Sequence, residues 1–352
     1  MALPIHPPLE PMLARLQEEI PHGEGWRYEP KWDGFRAIVF RDGPDVTIGS
    51  RGGKTLERYF PELVAALTEV LPRRCVVDGE IVVAWNRVLD FEVLQQRIHP
   101  AESRIRRLAK ETPSSYVAFD LLAEGSRDVR GEPLERRWER LSGILRAAPT
   151  ARTMRAILAS RTHVVLTPQT TDADEAIRWF DELEPAGLDG VIAKRDDLTY
   201  QPGKRVMVKV KHQRTIDCVV GGYRVHKSGR GVGSLLLGLY DENGVLRHVG
   251  ACGAFSMAER RVIQEKLRPL EGGDGFPGGV ILGGPSRWRQ QEKDWISVDP
   301  VLVCEVAYDH FQGGHRFRHL AQFLRWRPDR DPRSCTFEQL RGAGAGGQPP
   351  RK

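Results

Sequence analysis

Lys31 stands in the run Glu29-Pro30-Lys31-Trp32-Asp33-Gly34-Phe35-Arg36, and a lysine so placed can act as a nucleophile. A primary amine attacks only as the free base, and near neutral pH an ordinary lysine is almost wholly protonated. Nearby cations and partial burial lower its pKa and expose the lone pair. Arg36 is spaced to supply such a cation and to touch phosphate oxygens. Taken alone, the octet reads equally well as a strand edge beside a turn, because Asp-Gly is a common turn dipeptide.

Five further segments carry groups that suit nucleotide chemistry. Ser50-Arg51-Gly52-Gly53-Lys54 is a glycine-softened loop with two cations, able to hold a phosphate or simply to end a hairpin. Asp78-Gly79-Glu80 offers two carboxylates for a ribose hydroxyl or an oxygen-seeking metal ion; a plain turn fits it equally well. In Val117-Ala118-Phe119-Asp120-Leu121-Leu122 the phenylalanine could stack on a base, although such a ring is more often core. Leu188-Asp189-Gly190-Val191-Ile192-Ala193-Lys194 sets another acid before a strand. Lys209 and Lys211 lie two apart in Met207-Val208-Lys209-Val210-Lys211, so on a strand they share a face and suit an anion such as a triphosphate.

These groups need a scaffold of strands and helices. A helix is expected over Leu9–Ile20, and strands over Phe35–Phe40 and Val46–Ile48 around a turn at Asp42-Gly43-Pro44. Apolar spacing predicts helices over Tyr59–Leu71, Leu134–Leu145 and Asp172–Leu183, the last capped by Asp172. Cys75–Val83 is a strand pair or one bent strand, and Tyr116–Leu122, His163–Leu166, Gly190–Lys194 and Val206–Val210 are further strands. Beyond His212 the texture changes. Ile216–Tyr223, Ser234–Tyr240, Leu246–Val249, Val301–Tyr308 and Phe323–Trp326 are strands, with one helix from Ser256 to about Leu270. Short strands with one helix fit a small barrel such as the OB-fold. Gly229-Arg230-Gly231-Val232-Gly233 lies between strands and opens no helix, so it is a hairpin tip and not a dinucleotide loop.

The chain of 352 residues exceeds most single cores and suggests two domains. Its net charge of +6 favours a polyanionic partner. Cys75, Cys218, Cys252, Cys304 and Cys335 form no CxxC pair, which argues against a zinc site or a disulfide framework. No signal peptide or membrane-length apolar stretch is present, so a cytoplasmic, nucleoid-associated protein is expected.

In order along the chain, Lys31-Trp32-Asp33-Gly34-Phe35-Arg36, Ser50-Arg51-Gly52, Asp78-Gly79-Glu80, Tyr116 to Asp120, Asp189 to Lys194, Val208 to Lys211 and Arg318 to Arg330 resemble the motif series of the covalent nucleotidyltransferases. Within that superfamily the chain resembles an ATP-dependent DNA ligase of the small bacterial two-domain type, the actinobacterial LigC kind and the ligase module of LigD. Pro7 to Ala14 and Phe323 to Asp329 carry the closer likeness. The resemblance implies an α+β adenylation domain with mixed and antiparallel sheets over 1–212 and an all-β OB-fold domain over 213–340; the Gly/Pro-rich composition of the tail over 341–352 predicts disorder there.

It also implies roles. Lys31 would attack the α-phosphate of ATP, giving lysyl-AMP; AMP would pass to the 5′-phosphate at a nick, and the 3′-hydroxyl would displace it. Glu29 would contact the adenine amine and Phe119 stack on the ring. Arg36 and Arg51 would grip phosphate, and Lys209 and Lys211 the α-phosphate. Asp33, Glu80 and Asp189 would hold Mg²⁺ or Mn²⁺, Glu80 also serving the ribose. Arg318, Arg327, Asp329 and Arg330 would orient pyrophosphate when the OB domain closes. Two departures stand out: Asp189 sits where the family usually has Glu, and Arg330 where motif VI commonly ends in Lys.

Rival readings are an mRNA-capping guanylyltransferase, which GTP labelling would reveal, an RNA ligase, and a DNA-binding OB protein without catalysis. The missing tetracysteine site disfavours an NAD-dependent ligase. The expected partner is nicked duplex DNA, with Ku and repair polymerases as family-level possibilities for a monomer. Only about 30 residues precede Lys31, so no helical DNA-binding domain is expected ahead of it, and DNA binding should be salt-sensitive.

Overall fold

The computed structural model describes residues 3–145, 150–159, 161–280, 295–312 and 316–342. It divides into two compact units, Met1–Lys211 and His212–Lys352.

In the first unit the strands Asp45–Ser50, Phe35–Asp42, Arg74–Trp85 and Ser114–Glu124 lie side by side, each antiparallel to the next. Val164–Leu166 adds to Ser114–Glu124 in parallel. Strand periodicity sorts the side chains to two faces. Ala37, Val39, Val77 and Ala118 pack with Leu63 and Leu67 of the helix Pro61–Val70 and Leu141 of the helix Leu134–Leu145. Their neighbours Ile38, Phe40, Val76 and Leu122 face the other way, onto Met12, Tyr200 and Met207. Both faces of the central strands are therefore buried, which explains their near-continuous apolar runs.

The second sheet runs Leu13–Leu16, Arg205–Lys211, Gly190–Arg195, Trp26–Pro30, with the first pair parallel and the rest antiparallel. This corrects the helix expected over Leu9–Ile20: the segment is a strand at Leu13–Leu16. Pro11 would fall in the first turn of such a helix, where its missing N–H is no loss, so it does not by itself forbid the helix. As a strand the segment gains a ladder with Arg205–Lys211, and the backbone N–H of Met12 donates to the buried Tyr200 hydroxyl at 3.1 Å. Asp78-Gly79 is likewise not a turn but the middle of the single strand Arg74–Trp85. The helices Phe91–Gln96 and Glu102–Glu111 and the strand Trp26–Pro30 are elements that sequence patterning did not separate.

The second unit is a closed five-stranded barrel of Arg214–Val225, Val232–Tyr240, Leu246–Gly253, Ala321–Trp326 and Ile296–Tyr308. In chain order these are strands one, two, three, five and four, with the helix Met257–Leu267 between the third and fourth. That is OB architecture. Ser256 caps the helix reciprocally with Glu259, a capping box. The Gly229–Gly231 segment joins the first two strands as a turn. All five cysteines are free and buried, four of them within this barrel core. The tail expected to be disordered falls, from residue 343 onward, outside the described residues. Among the described residues no helix is long and apolar enough to cross a membrane.

Candidate active site

Lys31 follows directly on the strand Trp26–Pro30, and its backbone is held on both sides. Its N–H donates to the Gly190 carbonyl at 2.8 Å, and its carbonyl accepts from the Asp189 N–H at 3.2 Å. The approach is close because residue 190 is glycine: φ is +139°, and a Cβ there would lie 2.0 Å from the Val210 carbonyl oxygen. Gly34 plays the same part against the other sheet, where a Cβ would meet the Ile81 carbonyl oxygen at 2.1 Å. Two Asp-Gly steps that look like turns in sequence are thus points where one backbone presses on another.

These contacts aim the Lys31 amine at the Asp189 carboxylate, to which it donates a hydrogen bond. Lys211 Nζ lies 3.9 Å from the same carboxylate oxygen. Burial pulls the Lys31 pKa down, but Asp189, Asp33 and Glu80 together outweigh it and leave it above the usual lysine value. The expected depression by Arg36 is therefore not found. Arg36 is committed elsewhere: its Nε and Nη2 each donate at 2.7 Å to the fully buried Asp78, and its guanidinium lies 4.2 Å from the Phe119 ring centroid. Burial opposes this charge, yet Asp78 raises the Arg36 pKa further above its ordinary value. Tyr200 completes the cluster, its hydroxyl donating to Asp78 at 2.6 Å.

Lys31 lines one cavity together with Glu29, Arg36, Arg51, Glu80, Phe119, Met207 and Lys209. Seven of the sequence-selected positions therefore converge. Arg51 comes from the turn after Asp45–Ser50, Glu80 from Arg74–Trp85, Phe119 from Ser114–Glu124, and Lys209 from Arg205–Lys211. Met207 and Lys209 both line the cavity, as the two-residue strand period requires. Burial, opposed by Arg36 and Lys31 and helped by Asp33 and Asp78, pushes the Glu80 carboxyl up to about 7.

At the cavity's Glu29 end, Lys194 Nζ contacts Glu29 Oε1 at 2.6 Å and lies 4.8 Å from the Phe119 centroid. Gln169 Nε2 donates to Glu29 Oε2 at 3.0 Å. Asp78, offered with Glu80 as a carboxylate for a ribose or a metal ion, instead pairs with Arg36; Lys194 stands in a selected segment without an assigned role, and Gln169 and Tyr200 lie outside the selected segments. A signal existed for Lys194, since a lysine ending an apolar strand needs a partner when buried. Gln169 lies in irregular chain and had none.

The remaining candidates belong to the barrel unit. Arg327 donates to Asp329 and to Asp217, the latter at 3.1 Å, and Arg330 Nε is 3.4 Å from Asp217. Arg318 is half-buried, its backbone N–H bonded to the His310 carbonyl. Asp217 thus braces the C-terminal arginines against the barrel's first strand.

A family model of the ATP dependent DNA ligase domain matches residues 11–211, and one of the ATP dependent DNA ligase C terminal region matches residues 228–330. The chain belongs to the ATP-dependent DNA ligases. DNA ligase C of Mycobacterium tuberculosis is 53% identical to this ligase over 353 residues, covering 97% of this chain and 96% of that one. The multifunctional non-homologous end joining DNA repair protein LigD of the same organism is 33% identical over 319 residues, 89% of this chain but 37% of that protein. A structure from a structure–function analysis of Lig E DNA ligases shares the fold, with a TM-score of 0.55, 18% identity, and coverage of 90% of this chain and 99% of that one.

Among the described residues of this ligase no three His, Cys, Asp or Glu side chains form a ready metal shell. A nucleotide-bound Mg²⁺ does not require one, because it takes one or two carboxylates together with phosphate oxygens and water. Asp33, Glu80 and Asp189, all acting on Lys31, supply carboxylates of that kind.

Proposed function

We propose that this ligase seals 5′-phosphate/3′-hydroxyl nicks in duplex DNA through a lysyl-AMP on Lys31 and a DNA-adenylate. One observation carries the assignment: the Lys31 amine is fixed by Asp189 at a cavity that also gathers Glu29, Arg36, Arg51, Glu80, Phe119 and Lys209.

In the first step the amine nitrogen forms a bond to the α-phosphorus of ATP while the bond to pyrophosphate breaks. Lys31 must first give up its proton, so its pairing with Asp189 has to loosen as the nucleotide arrives. Lys209 and Lys211, on one face of their strand, place positive charge for the α-phosphate, and Glu29 and Phe119 receive the base. A divalent cation held by Asp33, Glu80 or Asp189 with phosphate oxygens would neutralise developing charge there. In the later steps AMP passes to the 5′-phosphate, and the 3′-hydroxyl expels it. Catalysis is mainly positioning and charge neutralisation throughout. Arg51 would hold the nick phosphate, and Arg318, Arg327, Asp329 and Arg330 would serve pyrophosphate on closure of the barrel unit.

We assign the work to DNA repair by a cytoplasmic, nucleoid-associated monomer, with Ku and repair polymerases as partners to test. The kinship to LigD supports this assignment. The direct test is incubation with α-labelled ATP and nicked duplex, followed by denaturing separation. Label should appear on the polypeptide, disappear in Lys31→Ala, and leave partial sealing of a pre-adenylated nick. Normal labelling of Lys31→Ala would overturn the assignment.

A further inference from the structure

Trp85 and Val88 stand side by side at the tip of a hairpin. The strand Val88–Leu89 pairs antiparallel with the end of Arg74–Trp85, Trp85 opposite Val88 and Ala84 opposite Leu89. Ala84 and Leu89 are buried with Trp32, the neighbour of Lys31, and with Leu188, the neighbour of Asp189. The strand period therefore turns Trp85 and Val88 to the opposite face, where they are 43% and 38% exposed. The hairpin is fixed at its base: the Asp90 N–H donates to the Val83 carbonyl at 2.9 Å, and the Asp90 carboxylate accepts from the Val93 N–H at 3.0 Å to cap the next helix. Exposed apolar side chains are ordinary. The turn between these two is not. Asn86 and Arg87 both have positive φ, +51° and +64°. A two-residue hairpin turn asks for that conformation, and Asn-Gly adopts it most easily. Asn86 suits its place, but the Arg87 Cβ is crowded there, and Arg87 enters no ion pair among the described residues. Strain kept at an exposed position points to a role for the side chain.

We propose that this tip is a contact surface for duplex DNA, Arg87 taking a backbone phosphate while Trp85 and Val88 lie against the deoxyribose edges beside it. This rests on the nicked-duplex substrate proposed above. A ligase has to accept whatever sequence flanks a nick, and phosphate and sugar contacts carry no sequence information. An unpaired guanidinium between two apolar side chains matches the alternation of charged and apolar groups along a DNA strand. The net charge of +6 favours the same partner. The place agrees, since the buried side of the hairpin packs on residues that flank the nucleophile and its acid.

The experiment measures binding of the full chain to a nicked duplex with a 3′-dideoxy end, which cannot be sealed, by fluorescence anisotropy across a salt series. Arg87→Gly removes the charge and relieves the backbone. It should bind about fivefold more weakly and lower the salt slope by about 0.9. Its urea midpoint should hold or rise, because glycine tolerates positive φ. Arg87→Lys keeps both the charge and the strained backbone, so its salt slope should match wild type. Trp85→Ala should weaken binding about tenfold with the slope unchanged, as loss of an apolar contact requires. Binding within about twofold of wild type by either Arg87→Gly or Trp85→Ala would overturn the proposal, and a shift in sedimentation coefficient alongside would make the tip a contact between copies of the chain. An unchanged salt slope in Arg87→Gly, or a slope in Arg87→Lys as low as that of the glycine variant, would overturn it too. So would a lowered midpoint in Arg87→Gly, which would reduce the turn to a structural element. Self-labelling by ATP without DNA reads the other level: its absence from the wild type would strike at the Lys31 chemistry, whereas normal self-labelling with unaltered DNA binding in the variants would remove only the role of the tip.

Discussion

Replacing Arg36 with alanine should destabilise the first unit before it harms any phosphate contact. Asp78 is fully buried and accepts both Arg36 hydrogen bonds, leaving only the Tyr200 hydroxyl once the guanidinium is gone. Stranding one member of a buried pair costs about 3–5 kcal/mol. The Arg36 side chain is 20% exposed, so water reaches part of the gap and the lower end, about 3 kcal/mol, is expected. With a urea slope of roughly 2–3 kcal/mol/M, the midpoint of the Met1–Lys211 transition should fall by about 1 M. Arg36→Ala with Asp78→Asn removes the stranded charge and should recover more than half of that loss, a coupling that a double-mutant cycle isolates. A midpoint within about 0.2 M of wild type, or a double variant no more stable than the single, would refute the reasoning. Arg36 would then be chiefly a phosphate ligand, its loss visible in the KM for ATP.

Three further outcomes follow from the same geometry. Glu80, lifted to about 7 by burial, favours the folded state most when protonated, so that stabilisation is present below about pH 4.5 and lost as pH rises through 7. Glu80→Gln should therefore raise the urea midpoint at pH 8 but not at pH 4.5, while weakening ATP labelling; equal midpoints at pH 8 would contradict it. Lys31, held above its ordinary pKa, should give a labelling rate that climbs with pH, and Asp189→Asn should move that limb to lower pH by removing the largest acidic influence. An unmoved limb would show that Asp189 does not govern the proton. Gly190→Ala should abolish labelling and cost several kcal/mol, since its Cβ would need to occupy the position of the Val210 carbonyl; soluble, active protein with an unchanged midpoint would count against the close-packing argument.

Much of this site was legible because strand periodicity carries it. Lys209 and Lys211 were read as sharing a face from their spacing alone, and the helix Leu134–Leu145 appeared at its observed limits. The failures share one cause, which is that partners distant in sequence overrule local pattern. Leu13–Leu16 became a strand because Arg205–Lys211 offers it a ladder, nearly two hundred residues downstream. The glycines at 34 and 79 look like turn formers in sequence, whereas each gives room to a neighbouring strand or ring. Arg36 looked like a free cation because Asp78, its partner, lies 42 residues away. The depression expected of Lys31 counts only Arg36, whereas Asp33, two residues on, and Asp189, arriving through the second sheet, both raise its pKa.

The acids that steady the Lys31 amine also oppose its proposed chemistry. Asp189, Asp33 and Glu80 keep Lys31 protonated, and a protonated amine cannot form a bond to phosphorus. Simple deletion of these carboxylates would free the amine but also remove the groups best placed to gather cationic charge around a triphosphate. The arrangement is therefore consistent with an amine that stays protonated until the nucleotide, with its counter-charge, draws the carboxylates away. Lys31 would then become a nucleophile only in the presence of the phosphate it attacks.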